Sequence, residues 1–156
     1  MNPAFSVIFL TTLIGAGQGL FLAVYAAELG AFILVGSALA LGLAGLGLIA
    51  SFFHLGHPMR AWRSAAMWRT SWLSREVIVL PLFMAGLFAY GIAHALQWGG
   101  TVPLGALVVV VCIALFVCTG MVYASIRFLQ EWASPLTLLN YLLLGCASGA
   151  TLATAL

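Results

Sequence analysis

The sequence predicts an all-α fold, a polytopic transmembrane helix bundle of about five spans. Three observations lead there. Hydrophobic residues make up 65% of the chain, and its mean hydropathy is +1.21, beyond what a soluble domain carries. Charged residues are only 5% of the total. The apolar residues also fall into five runs, each near the ~20 residues a helix needs to cross a hydrocarbon core of roughly 30 Å. These runs are residues 5–27, 31–53, 77–97, 102–126 and 135–156. They are too long and too uniformly apolar for barrel strands, which alternate over about 10 residues. Helices satisfy their own backbone groups in lipid, so a helix bundle follows.

The first run lacks a basic leading segment and is long enough to span, so it reads as a retained helix and not as a cleavable signal peptide. Gly15, Gly17 and Gly19 mark a face where another helix can approach closely, as do Gly42, Gly45 and Gly47 in the second run. Residues 54–76 form the longest connection. Ser74 is a plausible N-cap for the third span, which would place Glu76 in the first helical turn, where the helix dipole favours an anion. The fourth span contains Cys112 and Cys118, and the fifth contains Asn140, Cys146 and Ser148. The whole chain, 1–156, is read as a single transmembrane domain without a soluble appendage.

Charge gives an orientation. Arg60, Arg63, Arg69 and Arg75 lie between spans two and three, and Arg127 follows span four, so all five arginines fall on one side. The opposite connections, 28–30 and 98–101, carry no Lys or Arg. The positive-inside bias predicts a cytoplasmic arginine side, with the N-terminus on that side and the C-terminus outside. Five arginines at membrane depth are too few for a phosphate-tracking surface, so no nucleic-acid partner is expected. Trp62, Trp68 and Trp72 among them suit interfacial anchoring. Much of the 54–76 connection therefore suits an amphipathic segment in the headgroup layer; the alternative is that its arginines serve a site.

The ligand inventory narrows the chemistry. Cys112, Cys118 and Cys146 lack the spacing of a four-thiolate iron–sulphur site and read as small buried hydrophobes. His54 lies where span two ends. His94 lies 18 residues beyond Glu76, about 27 Å along a helix, so a haem held between two histidines of different spans is not expected. What gathers at the arginine side is a set of proton and hydrogen-bond groups: His54, His57, Arg60, Ser74 and Glu76. An ionisable group at membrane depth is a functional-site hypothesis by default. Histidine is the side chain that titrates nearest neutral pH.

The run His54-Leu55-Gly56-His57-Pro58-Met59-Arg60-Ala61, followed by Thr70-Ser71-Trp72-Leu73-Ser74-Arg75-Glu76, resembles the anchor subunit family of bacterial dimethyl sulphoxide reductases. The family pattern is histidine-leucine-glycine-x-proline-x-arginine-alanine after the second span, with a serine-x-glutamate opening the third. Gly15-Ala16-Gly17-Gln18-Gly19 is also in the family's style. The resemblance implies a multi-pass subunit of the bacterial inner membrane that oxidises menaquinol and carries no haem or iron–sulphur cluster itself. It implies transfer of electrons to an iron–sulphur subunit that feeds a molybdenum catalytic subunit. By position, His54 and Glu76 match the family's quinol-site residues and Arg60 the motif arginine, while His57 stands where the pattern varies. The family norm is eight spans, so a chain with five resembles a truncated or naturally short anchor.

The implied chemistry is quinol oxidation, with His54 accepting a proton, Glu76 acting as second acceptor or relay to water, and Arg60 pairing with Glu76 or with a partner subunit. The rival reading is a small membrane transporter or a structural membrane module. Transport sites usually sit near the midplane on interrupted helices, and mid-span polar groups here are few, chiefly Gln18, Asn140 and Ser148.

Overall fold

The computed structural model of the chain describes residues 5–27, 32–53, 58–126 and 130–156. Five helices are long and apolar enough to cross a membrane: α1 (Phe5–Ala26), α2 (Ile33–Phe52), α3 (Trp72–Ala95), α4 (Thr101–Ala124) and α5 (Pro135–Ala153). A 3-10 helical segment, Pro58–Met67, leads into α3 and packs against it. No strand occurs among the described residues.

Each helix packs on the next in sequence, and α5 returns to α1, closing a five-membered ring. Helix α1 leans inward and also touches α4. Short connections alternate the helix directions. The starts of α1, α3 and α5 and the ends of α2 and α4 therefore share one face of the bundle, called here the arginine face. The shared core is apolar and aromatic. Phe21 of α1 meets Phe83 and Tyr90 of α3 at centroid separations of 6.0 and 5.6 Å, edge to face, an arrangement that suits aromatic quadrupoles. Ile14, Leu20, Leu87, Leu115 and Phe116 fill the space around them.

In lipid no hydrophobic force draws one apolar helix to another, so close approach over small residues has to supply the contact. The α1–α5 pair does so. Gly15 and Gly19 face Gly145 and Gly149 in parallel register. A Cβ built on Gly19 would collide with the Gly145 carbonyl, and one built on Gly149 with the Gly19 backbone. The expected glycine faces are met in part. A Cβ on Gly17 would lie 2.8 Å from the Ala40 carbonyl oxygen and one on Gly47 2.7 Å from Ile14, both across the α1–α2 contact. Gly42 faces open space.

The start of α3 differs from expectation. The helix begins at Trp72, not at 77, because Ser71 is the N-cap: its backbone is extended, and its hydroxyl accepts from the Ser74 N–H at 3.4 Å. Ser74 is instead a buried helical residue, 3% exposed. Glu76 consequently lies beyond the first turn, which contains no acid. The far end of α3 closes with Gln97 in left-handed conformation (φ 53°). There the Trp98 N–H reaches the Ala93 carbonyl and the Gln97 N–H that of His94, the paired bonds of a Schellman stop.

A buried carboxyl at the arginine face

Glu76 is 8% exposed in the ring interior, where Thr119 Oγ1 of α4 donates to its Oε1 at 2.7 Å. Thr119 is 2% exposed. Both lie more than a turn inside the arginine face, Glu76 four residues from the start of α3 and Thr119 five residues from the end of α4. Tyr141 donates to the Thr11 carbonyl of α1 at 3.3 Å and packs its ring on Phe116. Helices α3 and α4 thus bring a carboxyl and an aliphatic hydroxyl together inside the ring.

No ion pair to Glu76 forms among the described residues. Arg60 is exposed and forms no ion pair with Glu76, the first of its two expected pairings; the second was with a partner subunit. Arg75, next in sequence to Glu76, is committed elsewhere. Its Nε donates to the Trp68 carbonyl at 2.9 Å and its Nη2 to the Arg69 carbonyl at 3.0 Å. The guanidinium also stacks over Trp72, 4.2 Å from the ring centre. Arg75 therefore fastens the preceding turn onto α3. A buried ionised carboxylate without a cation is costly, so a carboxyl in these surroundings has a reason to exchange its proton.

His54 and His57 lie outside the described residues, as do Arg127 and the side chain of Trp62. The last residue described before His54 is Phe53, at the end of α2 on the arginine face. His94 sits in the last turn of α3 at the opposite end, its ring 4.6 Å from that of Tyr90. Its buried Nε2 has no hydrogen-bond partner among the described residues. The expected separation of His94 from the arginine face therefore holds. No cluster of three or more His, Cys, Asp or Glu occurs among the described residues. Mid-bundle, Gln18 is fully buried; its Nε2 donates to the Cys112 carbonyl at 3.0 Å.

Five spanning helices around a carboxyl buried near one face define a multi-pass membrane protein with an ionisable interior site. The family profile of the DMSO reductase anchor subunit (DmsC) matches residues 1–156, so the chain belongs to the DMSO reductase anchor subunit family. It is similar to a sulfite dehydrogenase subunit of Allochromatium vinosum. The two are 56% identical over 179 residues, which cover 99% of this chain and 55% of that relative. The chain thus spans about half the length of the curated relative it matches. The aligned stretch exceeds this chain's 156 residues, so the relative carries residues within it that have no counterpart here. No solved structure matches the chain.

Proposed function

We propose that this anchor subunit exchanges electrons and protons with a membrane quinone, menaquinol being the expected species. Its electron partner would be an iron–sulphur subunit that serves a molybdenum catalytic subunit. The observation that carries this reading is the Glu76 carboxyl, held inside the ring by Thr119 with no cation beside it among the described residues. A dipole partner or a surface acid would not need that placement. Quinol oxidation releases two electrons and two protons. The electrons leave to the partner's iron–sulphur cluster, and the protons need an acceptor within hydrogen-bond reach. His54, which follows α2 in sequence, and Glu76, near the start of α3, are the proposed acceptors. Ser74, Arg60 and His57 belong to the same proposed neighbourhood and shape it by packing and charge.

The direction of flow follows the partner. A partner that reduces a sulphoxide draws electrons from menaquinol, and the site takes up the quinol's protons. The name of the Allochromatium relative makes sulfite a second candidate substrate. Sulfite oxidation yields electrons, which would then run to the quinone, with Glu76 and His54 supplying protons. The transporter reading is weaker, because none of the five spanning helices is interrupted among the described residues, whereas transport sites use broken helices.

The test uses the complete membrane complex. Glu76→Gln and His54→Ala should each lower quinone-linked turnover by about 100-fold, the scale of a lost acid–base group. Turnover with an artificial dye that exchanges electrons directly with the catalytic subunit should persist. Near-normal quinone-linked turnover in both variants would remove these residues from the site.

A further inference from the structure

The connection that carries the arginines has a repeat of its own. Arg60, Arg63 and Arg69 are spaced by multiples of three, with Ala66 at the remaining position. Pro58–Met67 is a 3-10 helix, in which residues three apart eclipse one another and follow at about 6 Å along the axis. Arg60, Arg63 and Ala66 therefore share one row. The Thr70 N–H also reaches back three residues, to the Met67 carbonyl at 3.1 Å, so the same step carries the row on to Arg69. In an α-helix this spacing would turn by about 60° at each step and spread the four positions over about half the circumference. All four positions are exposed.

The cations of the row are uncommitted. Arg60 and Arg63 make no hydrogen bond or ion pair among the described residues, and Arg69 lies over the Trp68 ring at 5.4 Å. Arg75 stands off the row and fastens its end to α3 through the Trp68 and Arg69 carbonyls. Glu131 is the one described acid exposed on this face. Met67, Trp68 and Leu73, which follow the row in sequence, are large, apolar and exposed. A segment that exposes a line of cations and apolar side chains together, between two spanning helices, suits the headgroup layer. Phosphates there supply the counter-charge that the described acids do not, and a guanidinium fork binds phosphate oxygens two at a time. A protein partner would need acids spaced to match a straight row. A bilayer offers phosphates along any line in its plane.

We propose that the row of Arg60, Arg63 and Arg69 binds the headgroups of anionic phospholipids, with Met67 and Trp68 seated at the acyl boundary. Arg63 and Arg69 carry the test, because Arg60 also belongs to the proposed quinone neighbourhood.

The experiment measures the apparent affinity of the detergent-solubilised complete complex for short-chain phosphatidylglycerol and phosphatidylcholine by native mass spectrometry. The anionic lipid should bind more tightly, and its advantage should shrink as salt screens the exposed charges. Arg63→Gln and Arg69→Gln should each weaken phosphatidylglycerol binding about fivefold, the scale of one basic residue at a charged headgroup layer, and leave phosphatidylcholine unaffected. Ala66→Arg fills the gap in the row and should strengthen binding by a similar factor. Ala65→Arg adds the same charge off the row and should change it less than about twofold. Equal affinity of the unaltered complex for the two lipids at low salt would overturn the proposal without recourse to any variant. Equal gains from Ala66→Arg and Ala65→Arg would show that net charge, and not the row, attracts the lipid. Release of the extrinsic subunits by Arg63→Gln and Arg69→Gln, with phosphatidylglycerol binding kept, would overturn it in favour of a protein contact.

Discussion

Two neighbouring side chains, Arg75 and Glu76, turn in opposite directions at the start of α3. Glu76 turns inward to Thr119. Arg75 turns back over the chain, joining two carbonyls and a tryptophan ring. Lysine cannot reproduce that fork and stack. Arg75→Lys should therefore loosen the turn before α3 by about 1 kcal/mol, without touching the carboxyl. Amide hydrogen exchange at Thr70 and Ser71, whose N–H groups bond the Met67 carbonyl, should speed up about fivefold at that cost. Unchanged exchange would show that the turn is held by other contacts. The acid itself was legible in the sequence, because a lone carboxylate beside an apolar run is conspicuous. Its partners were not. Thr119 lies 43 residues away, and a threonine or tyrosine inside a spanning run carries no local mark of what it will meet.

At the scale of the helix, hydropathy located all five spans, misplacing the start of α3 by five residues and the other ends by three or fewer. The apolar run of α3 starts after Glu76, but the helix starts where Ser71 can cap it. A window of apolar residues cannot see a turn that is helical and polar. Gly145 and Gly149 carried the same four-residue spacing as Gly15 and Gly19, so the signal for the α1–α5 contact was present in both helices and was read in only one. The contact makes unequal demands on its glycines. Any Cβ at Gly149 meets the Gly19 backbone, which cannot yield, whereas a Cβ at Gly15 would meet only ordinary contacts, the nearest at 3.5 Å. Gly149→Leu should cost about 3 kcal/mol by overpacking, and Gly15→Ala within about 0.5 kcal/mol. Thermal unfolding in detergent would separate them, and equal midpoints would mean the two helices do not meet as described.

For the molecule as a whole, the asymmetry of the ring matters more than its closure. The carboxyl, the arginine-rich connection and the 3-10 segment all lie toward one face, and His94 with Tyr90 lies toward the other. The positive-inside bias predicts that the arginine face is cytoplasmic. Ala66 is exposed in the 3-10 segment. A cysteine placed there should react with a membrane-impermeant thiol reagent in inverted vesicles and not in intact cells. Labelling in intact cells would mean that the arginines are placed for a partner or a ligand and not by the insertion rule. The family was readable from the loop motif alone, since its spacing is local. The pairing of Glu76 with Thr119 was not, because α3 and α4 bring the two together only in the folded ring.

The glycine contact between α1 and α5 also bears on biosynthesis. The earliest made of these five spans is fastened by the fifth. While spans two to four are being inserted, the Gly15–Gly19 face stays uncovered in the bilayer, a notch shaped for another helix. Commitment of the chain therefore comes late, when the α5 glycines arrive. Until then a four-span intermediate is open both to capture by a foreign helix and to membrane quality control.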